Sequence, residues 1–215
     1  MGSLICDISM SLDGFVAGPN ATLEQPLGEG GEKLHEWLMA TKAFRATHGM
    51  TGGEDSADSR LVEEHLRSIG ATIMGRHMFS GGAGPWESDP NADAWWGEDP
   101  PFHHPVFVLT HHARERVTKR GGTTFTFVTD GVESAAEQAR AAAGDRDVQV
   151  AGGASAVQQY LAAGLLAALQ VHVAPVLLGG GVRLFDRLGD APPKLELTRV
   201  VESPAATHLG YSVVR

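Results

Sequence analysis

Short apolar runs alternate along the chain with segments whose apolar residues recur at helical spacing. Residues 3–10 (SLICDISM) read as a strand, followed by the turn formers Asp13-Gly14 and Gly18-Pro19-Asn20. Apolar positions 34, 37, 38 and 44 predict a helix over 33–44, and 47–56 reads as a loop. Leu61, Val62, Leu66 and Ile69 form one helical stripe that Gly70 should end, with Glu63 and Glu64 in its first turn. The run 71–74 then reads as a buried strand entering Gly75-Arg76.

Residues 80–104 break the pattern. They are rich in proline and glycine, carry Trp86, Trp95 and Trp96, and keep neither a helical nor a strand period. An aperiodic stretch of that length is uncommon in a compact domain and suggests a lid or binding loop. Two strands, 105–110 and 123–128, follow from their β-branched and aromatic content. Asp130 with Glu133 has capping-box spacing and opens a helix to Ala143, stopped by Gly144. A strand at 148–151 runs directly into Gly152-Gly153-Ala154-Ser155. Ser155 with Gln158 repeats the capping-box spacing ahead of Val157, Tyr160, Leu161 and Leu165.

The last third changes character. Leu169, Val171 and Val173 alternate with Gln170 and His172, and strands at 195–202 and 207–214 flank the turn Ser203-Pro204. Strand–helix alternation followed by strands alone predicts an α/β fold: a mixed sheet of about eight strands flanked by helices, its C-terminal strands antiparallel. No linker or repeat divides the chain, so 1–215 is expected to be a single domain.

Charge and cysteine content narrow the function. Acidic residues number 26 against 17 Lys and Arg, a formal charge of −9, and no dense basic cluster offers the cations that phosphate-backbone binding needs. A small-molecule partner is expected, and no nucleic acid. The apolar runs are too short for a membrane helix and no leader pattern stands at the start, so a cytoplasmic protein is expected, with no membrane partner. Cys6 is the one cysteine, which excludes a disulfide framework and the PCxxC ligand pair of the zinc nucleobase deaminases. The ten histidines invite a metal, but His35-Glu36 begins an HExxH pattern that Met39 breaks, and none is expected.

The strongest chemical signal is the strand–Gly152-Gly153-Ala154-Ser155–helix junction. Glycine lets backbone approach a ligand, and free N–H groups at a helix start suit a pyrophosphate; a tight turn is the alternative. Gly75-Arg76 and Thr110-His111-His112 stand at two further strand ends, where open α/β sheets bind ligands. Together the three could hold a dinucleotide, with Arg76 or a neighbour on a 2′-phosphate; alone, Arg76 could equally be a surface arginine paired with a carboxylate. Asp13, Glu32 and Glu36 are the acid–base candidates, against a turn aspartate and solvated helix carboxylates. Cys6 reads as a small core residue.

Five ordered motifs carry a resemblance: MSLDGFVAG at 10–18, IMGR at 73–76, VFVLT at 106–110, VAGGAS at 150–155 and PVLLGGG at 175–181. They resemble the C-terminal reductase domain of the bifunctional riboflavin-biosynthesis deaminase-reductase (RibD C-terminal-like), within the dihydrofolate-reductase-like superfamily. The resemblance implies a dihydrofolate-reductase-like sheet, NADPH as hydride donor, and commonly a homodimer. It implies that Gly75 and Arg76 hold cofactor phosphate, that Thr110 contacts the adenosine 2′-phosphate side, and that Gly152, Gly153, Ala154 and Ser155 cradle the pyrophosphate. Ala17 and Gly18 would pass beside the nicotinamide. Asp13 would face the substrate as the catalytic residue, with Gly179 and Gly180 closing the pocket and Glu36 and Trp86 at its wall. Asp7 stands where the riboflavin reductases usually carry lysine, and Ala151 where they carry an acidic residue. The chain is therefore more similar to stand-alone relatives. The expected activity is hydride transfer from NADPH to a small heterocyclic C=N or C=C substrate. The alternatives are reduction of 5-amino-6-(5-phosphoribosylamino)uracil and non-catalytic binding of NADPH or another ligand.

Overall fold

The computed structural model describes residues 2–82, 84–93, 96–189 and 192–214. The chain opens with strands β1 (Leu4–Ser11) and β2 (Phe15–Ala17), a 3-10 turn at Gly31–His35, and helices α1 (Glu36–Met39), α2 (Lys42–Thr47) and α3 (Ala57–Ser68). It continues through β3 (Ile69–Gly75), α4 (Arg76–Ser80), β4 (Pro105–Leu109), β5 (Val117–Thr118), β6 (Thr124–Val128), α5 (Val132–Ala143), β7 (Asp147–Gly152) and α6 (Ala154–Ala162). Strands β8 (Ala168–Ala174), β9 (Val182–Arg183), β10 (Lys194–Glu202) and β11 (Thr207–Val214) complete it.

Nine strands form one sheet in the order β10-β11-β8-β1-β7-β3-β4-β6-β5, and β2 pairs with β9 in a separate ribbon. The six strands β8, β1, β7, β3, β4 and β6 are parallel to one another. Antiparallel β5 closes one edge, and the β11–β10 hairpin closes the other. This is the mixed sheet expected, with a ninth strand, β5, whose two residues are too few to form a pattern.

Both faces of the central strands are covered. On one face α5 and α6 pack Ala135, Ala139, Val157 and Tyr160 against Leu4, Cys6, Ile73 and Val150. On the other, Phe79 and Phe125 fill the β3–β4–β6 side, and Trp37, Val62 and Ala206 fill the β8–β11 side.

Several local expectations change. The predicted helix over 33–44 is broken, because the Thr41 hydroxyl accepts the Phe44 N–H at 3.2 Å and caps a new helix. Backbone bonds from Lys42 to Glu54 and from Glu54 to Ala40 pin the break. Gly70 does not stop α3. It lies inside β3, where a Cβ would stand 2.8 Å from the Ala143 carbonyl oxygen, so glycine lets α5 close on the strand. Neither capping box forms: α5 starts after Gly131 and α6 after Gly153, both without a side-chain cap. Among the described residues, no helix is long and apolar enough to cross a membrane.

Tyr160 ties the α5–α6 layer together. It is fully buried, and its hydroxyl donates to the Val132 carbonyl at 2.9 Å. Burial pushes the phenol well above its ordinary range. Tyr160→Phe should keep the fold and lower unfolding free energy by about 0.5–1.5 kcal/mol, the usual worth of one internal hydrogen bond, as read by urea denaturation.

Candidate functional site

Parallel strands deliver their carboxyl ends to one edge of the sheet, and open α/β sheets bind ligands outside that edge. Adjacent strands β3 and β7 end there in Gly75 and Gly152. A Cβ on Gly75 would lie 3.7 Å from both the Gly152 carbonyl oxygen and the Gly153 nitrogen, so the strand ends meet closely. Gly152 has φ 129°, which glycine adopts readily, and the Gly152–Gly153 peptide is cis. At Gly153 a Cβ would meet nothing within 4 Å, with φ at −66°. The start of α6 therefore faces an open cradle, with Ala154 buried beneath it and Ser155 exposed. Ser155 does not cap the helix; its hydroxyl accepts from Gln159 at 3.3 Å. The uncapped first turn presents backbone N–H groups to the cradle, an arrangement suited to a phosphate. The residues fit a dinucleotide diphosphate at this point.

Arg76 is placed otherwise than expected. Its guanidinium is buried, bonded to the Asp89 carboxylate and the Ser80 hydroxyl, and its charge lies over the Trp86 ring, 3.7 Å from the centroid. Burial pushes the Asp89 carboxyl up, but the bonds from Ser80 and Arg76 outweigh it and leave that group below its usual range. A guanidinium committed to a buried carboxylate is not available to a 2′-phosphate, so the phosphate role expected for the Arg76 side chain is corrected to an internal ion pair. Its partner sits in the irregular 80–104 stretch, where sequence spacing could not point to it.

Trp86 closes the same cluster. It packs against Phe79 and Phe127, lies under Arg114, and donates its indole N–H to the His112 carbonyl at 2.8 Å. The ring anchors the 80–104 segment to the end of β4. Trp95 lies outside the described residues, and Trp96 meets Phe102 edge to face. Thr110 is buried, and its hydroxyl accepts the His112 N–H at 3.1 Å, shaping the turn that leaves β4. His111 is exposed on that turn.

Asp13 does meet the Gly179 loop. Its carboxylate accepts the N–H groups of Leu178 at 3.2 Å and Gly179 at 2.7 Å, and Arg183 donates to its backbone carbonyl at 3.2 Å. The Ser11 hydroxyl first, then the Gly179 and Leu178 amides, hold the carboxyl down to about 2. The carboxylate thus acts as a clamp on the Gly179 loop. Ala17 pairs with Val182 in the ribbon beside this loop, and the Gly18 N–H donates to the Leu27 carbonyl at 2.7 Å. Gly180 lies next to Pro19. Glu36 is exposed at the start of α1, and no hydrogen bond joins its carboxylate to Asp13 among the described residues.

One group of residues was missed by sequence reasoning. Asp7, His172, His208 and Asp58 form a buried chain, with Trp37 packed on both imidazoles. The signal was present: Asp7, Ser9 and Ser11 are polar at every second position of a strand that lies in mid-sheet. Among the described residues, no group of three or more His, Cys, Asp or Glu side chains could hold a metal ion.

Residues 3–209 match the family model of the RibD C-terminal domain. No curated protein sequence matches the chain. Among solved structures, a protein assigned to riboflavin biosynthesis from Shewanella sp. PV-4 aligns with TM-score 0.65 and 21% identity over 99% of both chains. The diaminohydroxyphosphoribosylaminopyrimidine deaminase/5-amino-6-(5-phosphoribosylamino)uracil reductase of Thermotoga maritima aligns with TM-score 0.56 and 14% identity, covering 99% of this chain and 56% of that one. A pyrimidine reductase-like protein of Corynebacterium diphtheriae aligns with TM-score 0.52 and 13% identity, over 100% and 92% of the chains. At these identities the structural likeness speaks for the fold.

Two outcomes test the rearranged site. Asp89→Ala leaves the Arg76 charge buried without its partner and should cost about 3–5 kcal/mol in chemical denaturation, with 80–104 becoming the first segment cut by protease. Asp13→Ala removes the clamp, so amide hydrogen exchange should quicken at Leu178 and Gly179 while α6 keeps its protection.

Proposed function

The chain belongs to the RibD C-terminal domain family, and on that premise we propose that it is an NADPH-dependent oxidoreductase acting on a small heterocyclic C=N or C=C substrate. The observation that carries this reading is the open cradle at Gly153, where the uncapped start of α6 meets Gly75 at the carboxyl edge of the sheet. Backbone N–H groups of Gly153, Ala154 and Ser155 would hold the diphosphate, and the Thr110–His112 turn would border the adenosine side. When bound, the cofactor supplies the hydride. The chain supplies position: Asp13 fixes Leu178 and Gly179, and with them the loop through Gly180 that borders Ala17 and Gly18. The proton that accompanies hydride would come from water or the substrate's own surroundings, since both Asp13 carboxylate oxygens are engaged by backbone amides.

Among substrates, a non-phosphorylated heterocycle is favoured over a phosphoribosyl one. Asp7 is bound to His172 at 3.0 Å, so the position that the resemblance associates with lysine supplies no cation. The assembly we propose is a cytoplasmic homodimer. Edge strand β10, with Leu197 at 59% and Val200 at 56% exposure, offers the second copy an apolar edge.

Gly153→Val separates the cofactor reading from a simple turn. Its backbone is in the extended region and its Cβ meets nothing, so melting temperature should hold while NADPH binding, followed by titration of nicotinamide fluorescence, is lost. Retained binding in a folded variant would remove the cradle from the site. With Arg76 engaged by Asp89, the Thr110–His112 turn is left to meet a 2′-phosphate; unmodified protein should still bind NADPH more tightly than NADH in the same titration, and equal affinities would count against that reading.

A further inference from the structure

The buried chain between β1, β8, β11 and α3 has a hydrogen count that its geometry dictates. Asp7 Oδ1 lies 3.0 Å from His172 Nε2, His172 Nδ1 lies 2.7 Å from His208 Nδ1, and His208 Nε2 lies 2.9 Å from Asp58 Oδ1. Each is a hydrogen-bond distance, and each needs one hydrogen. Ionised carboxylates only accept, so both Nε2 atoms carry hydrogen, and the two facing Nδ1 atoms share one more. Three hydrogens on four ring nitrogens make one imidazole and one imidazolium.

We propose that His172 and His208 share a single buried proton, and that this proton locks β8, β11 and α3 onto β1. Without it, two nitrogen lone pairs would face each other at 2.7 Å between two carboxylates. With a second one, two N–H groups would collide. Either change breaks the chain, so only the singly protonated pair suits the fold.

Both rings lie deep in the protein. The side chains of His172 and His208 are 5% and 4% exposed. The titratable groups facing the pair are Asp7 from β1, Asp58 and His65 from α3, and His35 from the 3-10 turn. Burial pushes the Asp7 carboxyl up, but His65, His172 and His208 outweigh it and hold it well below its usual range. Burial first, then the charge of His172, keep His208 below the ordinary imidazole range, despite the bond from Asp58. His208 is thus the ring that resists a second charge. Beside the Asp7 end, His65 lines a groove of about 460 Å³ between α3 and the starts of β1, β7 and β8.

Linkage turns the count into a pH profile. The folded pair binds one proton, whereas two unfolded histidines together bind two below and none above their ordinary value of about 6.5. Below that value the unfolded chain holds more protons, so stability rises with pH. Above it the unfolded chain holds fewer, so stability falls as pH rises. The pair's contribution therefore peaks near pH 6.5, and each limb approaches a tenfold change in the folding constant per pH unit, the slope of one proton. His35 and His104, both held below the imidazole range, add to the acid limb only. The buried Cys6 thiol affects the profile only where an unfolded thiol ionises, near pH 8.5.

Two measurements on the unmodified, full-length protein test this. In long-range proton–nitrogen spectra of histidine-labelled protein, the two Nδ1 nuclei should share one far-downfield proton and stay unchanged across the neutral range. Two rings that titrate independently, with no such proton, would overturn the proposal. Urea denaturation should show the folding constant falling with pH above 6.5, and a flat profile there would also overturn it. Where it folds, the double variant His172→Gln with His208→Gln should lose that limb. Its persistence would assign the proton to other groups and likewise reject the pair.

Discussion

The parallel pairing of β1 between β7 and β8 is the constraint on which the rest depends. A strand hydrogen-bonded on both sides and covered on both faces leaves its polar groups little water, so what its side chains present must largely be matched inside the protein. Toward α5 and α6 it presents Leu4 and Cys6, which need only packing. Toward the other layer it presents Asp7, Ser9 and Ser11, and each meets a partner: His172 and His65, the Trp37 indole, and the Phe15 amide. The same pairing directs the carboxyl ends of six strands to one edge. Glycines at the ends of β3 and β7 and the Asp13 clamp beyond β1 all follow from where that edge lies.

Much of this architecture was legible in the sequence because parallel strands buried on both faces read as dense apolar runs. The strands around Ile73, Val108, Val150 and Val171, and the hairpin from Lys194 to Val214, stand where alternation and composition put them. What was not legible rests on distant partners. The break at Thr41 depends on Glu54, and Gly70 is a contact with Ala143 rather than a helix stop. Spacing alone reports that a glycine or threonine stands at a given place, not which backbone comes to meet it.

The candidate site divides in the same way. Gly75 and the Gly152–Ser155 segment are brought together as their strand-end positions suggested, since adjacent strand ends are a local consequence of sheet order. The partners of Arg76 and Trp86, Asp89 and the His112 carbonyl, were not legible because they lie across an aperiodic segment that offers no register to count along. Asp13 and Gly179 are brought together as expected, but the chemistry differs: a carboxylate receiving two amides is held in its charged form. The histidine chain escaped notice because polar residues at alternate positions ordinarily mark the wet side of a sheet, and here that side is covered by α1 and α3.

The lone cysteine gives the molecule a built-in clock. Cys6 is fully buried in β1, and burial raises its thiol, so in the closed protein it is both sheltered and protonated, whereas alkylating reagents need an accessible thiolate. Modification must wait until β1 leaves its neighbours. Because that strand sits in mid-sheet and cannot fray from an edge, the rate of thiol labelling records cooperative opening of the whole molecule, without any engineered probe.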